Sequence, residues 1–230
     1  MKILAIDTST ASGSIALLED NQLIAETTTH IQKTHAERLL PSIKNLFDTI
    51  GARIEEVDGF ALTTGPGSFT GLRIGLSTIK GLAWSLNKPV VGVSTLEAMA
   101  MNIPYADKPI CPVLDARKKE VYAGIYKFQD AECSCIMPDT AISPTALIER
   151  IQEPTIFIGD GIQVFKSQIS NLKSQILIAP PHLWPIKASN IGLLAWEKFK
   201  SGLVDKPDII RLNYLRPSEA EIKKTVSGKS

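Results

Sequence analysis

The 230-residue sequence has only three cysteines, Cys111, Cys133 and Cys135, and they lack metal-finger spacing. Neither a disulfide framework nor a zinc module is expected. Histidine is as scarce: His30, His35 and His182. His30 and His35 straddle a strand-to-helix join at the wrong spacing for a metal pair on one helix face. Charge of neither sign dominates, with 25 Lys and Arg against 24 Asp and Glu and a net charge of +1. That excludes a dedicated nucleic-acid binder, which carries a basic excess, but not a chain that meets RNA inside a larger assembly. No run approaches the ~18 apolar residues of a membrane helix. The opening MKILAIDTST has a short apolar run cut by Asp7, unlike a signal peptide. A cytoplasmic protein is expected.

What remains is an ordinary globular composition, 44% hydrophobic and 21% charged. At about 150 residues per domain, the length suits one large domain or two small lobes. Residues 2–8, 14–18 and 22–29 read as three strands joined by the polar links TASG and EDNQ, a β-meander. Thr34 and Glu37 make a capping box for a helix carrying Leu39, Leu40, Ile43, Leu46, Phe47 and Ile50, stopped by Gly51. Pro41 should kink this helix or mark its true start. A strand at 59–64, a helix capped by Ser68, a strand at 89–93 and a helix at 95–101 follow, giving an α/β lobe with a mixed sheet. A proline-rich crossing near 103–112 leads to paired strands at 110–114 and 120–128. A helix opened by Ser143-Pro144 and a strand at 155–158 come next. KSQISNLKSQI repeats KSQI once and reads as a surface helix; 189–199 is a last amphipathic helix, 208–215 a trailing apolar segment, and TVSGKS should be disordered.

Two turns have the composition for chemistry. In DTSTASGS, Asp7 stands at a strand end beside Ser9, Thr10 and Gly13; amides and hydroxyls packed this way can cradle a phosphate, and the carboxylate can hold a metal-bound water. A polar hairpin reads the same way, and only one glycine is present where ATP usually needs more. Gly65-Pro66-Gly67-Ser68 runs into a helix N-terminus, which attracts anions, without the spacing of a P-loop. Gly71, Gly75 and Thr78 then form a small-residue stripe. Glycine costs about 1 kcal/mol in a helix interior, so the stripe implies a tightly crossed neighbour. Spacing leaves open whether that neighbour is the same chain or another. Asp115-Ala116-Arg117 with Lys118 and Lys119 reads as a phosphate grip or a solvated turn. No nucleophile stands in a recognisable context.

The combination AIDTSTASGSIAL, HAERLLPSI, GPGSFTGLRIG, LDARKKEVYAGIY, GDG and NYLRP resembles the TsaB (YeaZ) family, bacterial accessory subunits of tRNA threonylcarbamoyladenosine synthesis. The likeness runs to about Pro217, and GPGSFTGLRIG is its most specific part. It implies an α/β fold of two ribonuclease-H-like lobes, as in actin, sugar kinases and Hsp70. The N-terminal lobe would span 1–104, rejoined by the helix near 188–202, with a smaller lobe at 105–187 and a disordered tail at 218–230. It further implies work with a catalytic TsaD-like subunit and a TsaE-like ATPase in threonylcarbamoylating adenosine 37 of tRNAs reading ANN codons, the chain meeting tRNA only through that complex.

In the catalytic paralogue two histidines bind a metal where this chain has Thr95 and Met99, and acidic residues stand where it has Ala11 and Ser12. Neither Thr nor Met replaces imidazole on zinc or iron. The resemblance therefore implies a pseudoenzyme with no catalytic residue, no metal and a degenerate nucleotide loop at Asp7, Ser9, Thr10 and Gly13. No tightly bound cofactor is expected; ATP or ADP at the junction with the partner is the one nucleotide admitted. The pairing surface carried over from the family is His35, Leu39, Leu40, Ile43 and Leu46 on the first helix. On the second it is Gly71, Leu72, Gly75, Thr78 and Leu82. A homodimer through the same surface is expected when the partner is absent. Two enzymes remain as alternatives: an ATP-dependent kinase or ATPase using Asp7, and a glycoprotease-like metallopeptidase.

Overall fold

The computed structural model describes residues 1–31, 33–130, 132–165 and 175–216. β1 (Lys2–Asp7), β2 (Gly13–Glu19) and β3 (Gln22–Thr29) form an antiparallel meander, and β4 (Gly59–Gly65) and β5 (Val90–Ser94) extend it in parallel, giving the order β3-β2-β1-β4-β5. β1 reads as a continuous apolar run because both its faces are covered. Ile3 and Ala5 point to one core, Leu4 and Ile6 to the other.

The second core is closed by α1 (His35–Ile50) and α2 (Phe69–Ser85). Leu39, Ile43, Leu46 and Phe47 of α1 meet Ile79 and Ala83 of α2 above the sheet. Glu37 folds its carboxylate back onto the Thr34 N–H (2.9 Å) and hydroxyl (2.7 Å), fixing the helix start. Gly51, at φ 67°, ends it in the left-handed region that favours glycine. Pro41 lies inside α1 and does not mark its start; it sits on the exposed face, where water can satisfy the carbonyl it leaves free.

The other face of the first sheet is covered by α3 (Thr95–Ala100) and α5 (Ala188–Lys200), so the chain returns to the first lobe late. Between these visits it builds a second sheet from β6 (Ile110–Asp115), β7 (Val121–Gln129), β8 (Glu132–Ile142), β9 (Thr155–Ile158) and β10 (Ile176–Ile178), with α4 (Pro144–Ile148) after β8. Its order is β10-β9-β6-β7-β8, again an antiparallel meander extended by two parallel strands. The two sheets thus repeat one topology, and the fold is α/β with two ribonuclease-H-like lobes. Ile110, Leu114, Phe128 and Ile158 of the second sheet join Ile3, Leu96 and Ile191 in one shared core.

β8 is absent from the sequence reading. It is an edge strand with only Met137 and Ile142 buried, so it lacks an alternating apolar pattern, and Pro138 within it is a residue that sheets accept only at edges. The helix expected over KSQISNLKSQI lies mainly outside the described residues, but its last residue, Ile176, opens β10. The tail expected at 218–230 is also outside them.

Candidate functional site: the cleft between the lobes and the outer face of α1 and α2

The β1–β2 turn and the start of α2 form one wall of a cleft of about 480 Å³. Ser9, Thr10 and Ala11 line it with Pro66–Phe69, and the second lobe supplies Leu114–Lys118, Tyr122 and Asp160. Ser68 caps α2 by accepting from the Gly71 N–H at 3.2 Å, and its own N–H donates to Ser9 O at 2.7 Å. This lashes the turn to the helix. The close neighbour that the small-residue stripe demanded is this turn. A β-carbon on Gly71 would lie 2.1 Å from Thr8 O, and one on Gly75 2.3 Å from Thr8 Oγ1.

Of the four residues of the degenerate nucleotide loop, Ser9 and Thr10 line the cleft, while Asp7 and Gly13 do not. Asp7 is fully buried beneath the turn. Its Oδ1 accepts from Ser9 N (3.1 Å), Ser9 Oγ (2.6 Å) and Thr63 Oγ1 (2.7 Å). Burial pushes its carboxyl above the usual aspartate range, against the opposing pull of those hydrogen bonds. Gly13 opens β2, where a β-carbon would press on Arg38 and His35 at 3.2–3.3 Å. Those two α1 side chains hold the turn from below. His35 Nε2 donates to Thr10 O (2.7 Å) and Arg38 Nη2 to Ala11 O (2.8 Å). His35 Nδ1 is then the acceptor facing Arg38 Nη2 at 3.1 Å, which assigns the Nε2–H tautomer.

The third wall is the segment after α5, which in sequence is a trailing apolar piece. Asp205 and Val90 exchange backbone hydrogen bonds at 2.9 Å along the free edge of β5, and Ile210 is buried against Gly92. The Asn213 N–H donates to Thr64 O at 2.8 Å. The Tyr214 ring lies 4.8 Å from that of Phe69, and the Arg73 guanidinium sits 3.7 Å over the Phe69 ring. Arg216 then crosses to the second lobe, pairing with Glu120 at 3.0 Å and donating to Ala116 O at 3.2 Å. No periodicity marks this segment; only its mixture of large apolar and basic residues does. On the opposite lip, Arg117, Lys118 and Lys119 all have positive φ (63°, 51° and 63°), and the Arg117 N–H donates to Asp115 Oδ1.

The pairing surface expected on α1 and α2 is largely turned inward. Leu39, Ile43 and Leu46 belong to the core; Gly71, Leu72 and Gly75 are buried by their own chain, Leu82 packs on that core, and His35 serves the turn. Leu40, 54% exposed, half-buried Thr78 and the edge of buried Leu39 line an open groove of about 530 Å³ between the helices, rimmed by Ala36, Thr70, Ile74 and Ser77. Thr95 and Met99 are both buried, Met99 within the core shared by the lobes. Among the described residues no three His, Cys, Asp or Glu side chains gather as a metal site, and no helix is long and apolar enough to cross a membrane.

A family model described as TsaD, tRNA N6-adenosine threonylcarbamoyltransferase, matches residues 22–224. The tRNA threonylcarbamoyladenosine biosynthesis protein TsaB of Bacillus subtilis is 35% identical, the match covering 97% of each chain. TsaB of Escherichia coli is 32% identical over 72% of this chain and 74% of its own. The structure of YeaZ from Pseudomonas aeruginosa superposes with a TM-score of 0.80 at 28% identity, covering 93% of this chain and 99% of that one. The activator of 2-hydroxyisocaproyl-CoA dehydratase from Clostridium difficile, solved with ADPNP, shares the fold alone, at a TM-score of 0.50 and 12% identity over 93% of this chain and 100% of that one. In sequence and in overall fold, the chain belongs to the TsaB (YeaZ) family of tRNA threonylcarbamoyladenosine biosynthesis proteins.

Proposed function

We propose that the protein is a cytoplasmic, non-catalytic docking subunit. It pairs with a TsaD-type catalytic subunit beside a TsaE-type ATPase during threonylcarbamoylation of adenosine 37 in tRNAs reading ANN codons. The observation that carries this reading is the open groove between α1 and α2, with Leu40 exposed in it while the core of both helices is already satisfied. Such a surface loses apolar area to water unless a partner helix covers it. The docking residues are therefore Leu40 and Thr78 with Ala36, Ile74 and Ser77, and not the inward-facing glycines. A second copy of the chain uses the same groove when the partner is missing.

Two observations weigh against the enzymatic alternatives. A kinase-like mechanism needs the first-strand carboxylate in the cleft to hold a metal-bound water, whereas Asp7 lies under the turn with Ser9 and Thr63 on its Oδ1. A metallopeptidase needs imidazoles where buried Thr95 and the core residue Met99 stand. ATP or ADP, if it acts here, does so at the junction with the partner.

The test is Leu40→Glu. The variant should fold like the wild type, since Leu40 is exposed, and should fail to co-elute with the TsaD-type subunit of the same cell on size exclusion. Full retention of the complex would move the docking surface elsewhere. ATP turnover by the lone chain that disappears in Asp7→Ala would replace this reading with the kinase-like one.

A further inference from the structure

Asp7 and Arg38 each leave one buried polar atom without a protein hydrogen bond: the carboxylate Oδ2 and the guanidinium Nε. Both residues line the same small pocket of about 20 Å³ beneath the β1–β2 turn, with Ser14, Thr27, Thr29 and Ser42 among its other walls. A water molecule needs a cavity of roughly 10–15 Å³ and at least two polar partners. The space is enough for one water.

We propose that this cavity is a binding site for a single buried water that bridges Asp7 Oδ2 and Arg38 Nε. The chemistry of the walls selects the occupant. A metal cation would sit against the Arg38 guanidinium, and an anion against the Asp7 carboxyl; a neutral molecule that both donates and accepts meets both. Neither atom is free to find another partner. Asp7 is held by Ser9 and Thr63 on Oδ1, and Arg38 by Ala11 O (2.8 Å) and Thr29 O (3.4 Å) on its terminal nitrogens. Bridging the pair costs little: a well-placed water gives hydrogen bonds nearly as good as direct ones, whereas two orphaned buried groups carry their full desolvation cost.

The bridge makes Arg38 a positioning residue. Through its terminal nitrogens it grips the turn that lines the cleft, and through the water it reaches the end of the central strand. The turn is thereby fixed to α1 from beneath as well as to α2 from the side.

A crystal structure of the full chain at about 1.5 Å should show one ordered solvent peak within hydrogen-bond distance of both atoms. Direct contact between Asp7 and Arg38, or a cavity with no density, would overturn the proposal. In solution, oxygen-17 magnetic relaxation dispersion counts long-lived internal waters; Arg38→Met should have one fewer than the wild type, and an equal count would also overturn it. If Arg38→Met does not fold, the wild-type crystal alone decides.

Discussion

Gly71 and Gly81 lie on the same helix and respond to opposite pressures. At Gly71 a methyl group would meet the Thr8 carbonyl oxygen at 2.1 Å, a backbone atom that cannot rotate away. Gly71→Ala should therefore cost roughly 1–3 kcal/mol through overpacking, and the melting temperature should fall by ~2–4 °C for each kcal/mol. A β-carbon on Gly81 meets nothing within 4 Å, so Gly81→Ala should gain up to about 1 kcal/mol from helix propensity alone. Thermal melting of the two variants checks both signs. Asp7 offers a different readout. Because burial raises its folded pKa above the ordinary 3.8, the folded state holds this proton more tightly than the unfolded chain. The resulting stabilisation is complete below the unfolded pKa and is lost as pH rises through the folded one. Urea midpoints measured from pH 4 to 8 should show Asp7→Asn gaining stability relative to the wild type as pH increases. A constant difference across that range would mean that Asp7 titrates like an exposed carboxyl.

Among the elements, the β6–β7 connection carries the clearest local strain. Three successive residues, Arg117, Lys118 and Lys119, occupy the left-handed region, which side chains disfavour. The turn is closed by Ala116 N to Glu120 O and Glu120 N to Arg117 O, each 3.0 Å, and Arg216 holds it from the cleft. Lys118→Gly relieves roughly 1–2 kcal/mol of left-handed strain and adds roughly 0.5–1 kcal/mol of unfolded-chain entropy. The net gain should lie between about 0 and 1.5 kcal/mol, seen as a higher urea midpoint at unchanged slope. A lower midpoint would show that the turn's side chains contribute more than its backbone costs. The Arg216–Glu120 pair is partly solvated, with side chains 27% and 35% exposed, and such pairs contribute little to global stability. Its effect is local: with the Arg216–Ala116 O hydrogen bond it closes the end of a segment whose earlier anchors lie on the first lobe.

For the whole molecule, the decisive feature is that one core serves both lobes. Leu96 of α3 is fully buried between Ile3 and Val93 of the first lobe and Ile110 and Tyr126 of the second. A polar joint reinforces it: Ser94 Oγ donates to Asp139 Oδ2 at 2.5 Å, and the Tyr126 hydroxyl donates to the other oxygen of Asp139. Leu96→Ala should cost about 2–5 kcal/mol and should lower protection of β1 and β7 together in amide hydrogen exchange. Loss confined to one lobe would show that the lobes unfold independently.

Much of this architecture is written locally. The three-strand meander, the Thr34–Glu37 start and Gly51 stop of α1, the Ser68 cap of α2 and the α/β class all follow from neighbours a few residues apart, where periodicity and capping act. β8 escaped because an edge strand half in water has no apolar alternation to display. The direction of the glycine stripe escaped for a different reason. Spacing reports that one helix face is small; the identity of what lies against it depends on Thr8, more than sixty residues earlier in the chain. Asp7 is the same case: its residue type suggests a cleft carboxylate, but hydrogen bonds from Ser9 and from distant Thr63 turn it under the floor. Local pattern determined which segments are helix and strand. Only tertiary packing decided which faces were consumed inside the chain and that Leu40 and Thr78 were left outside, because burial is set by contacts that no short window of sequence contains.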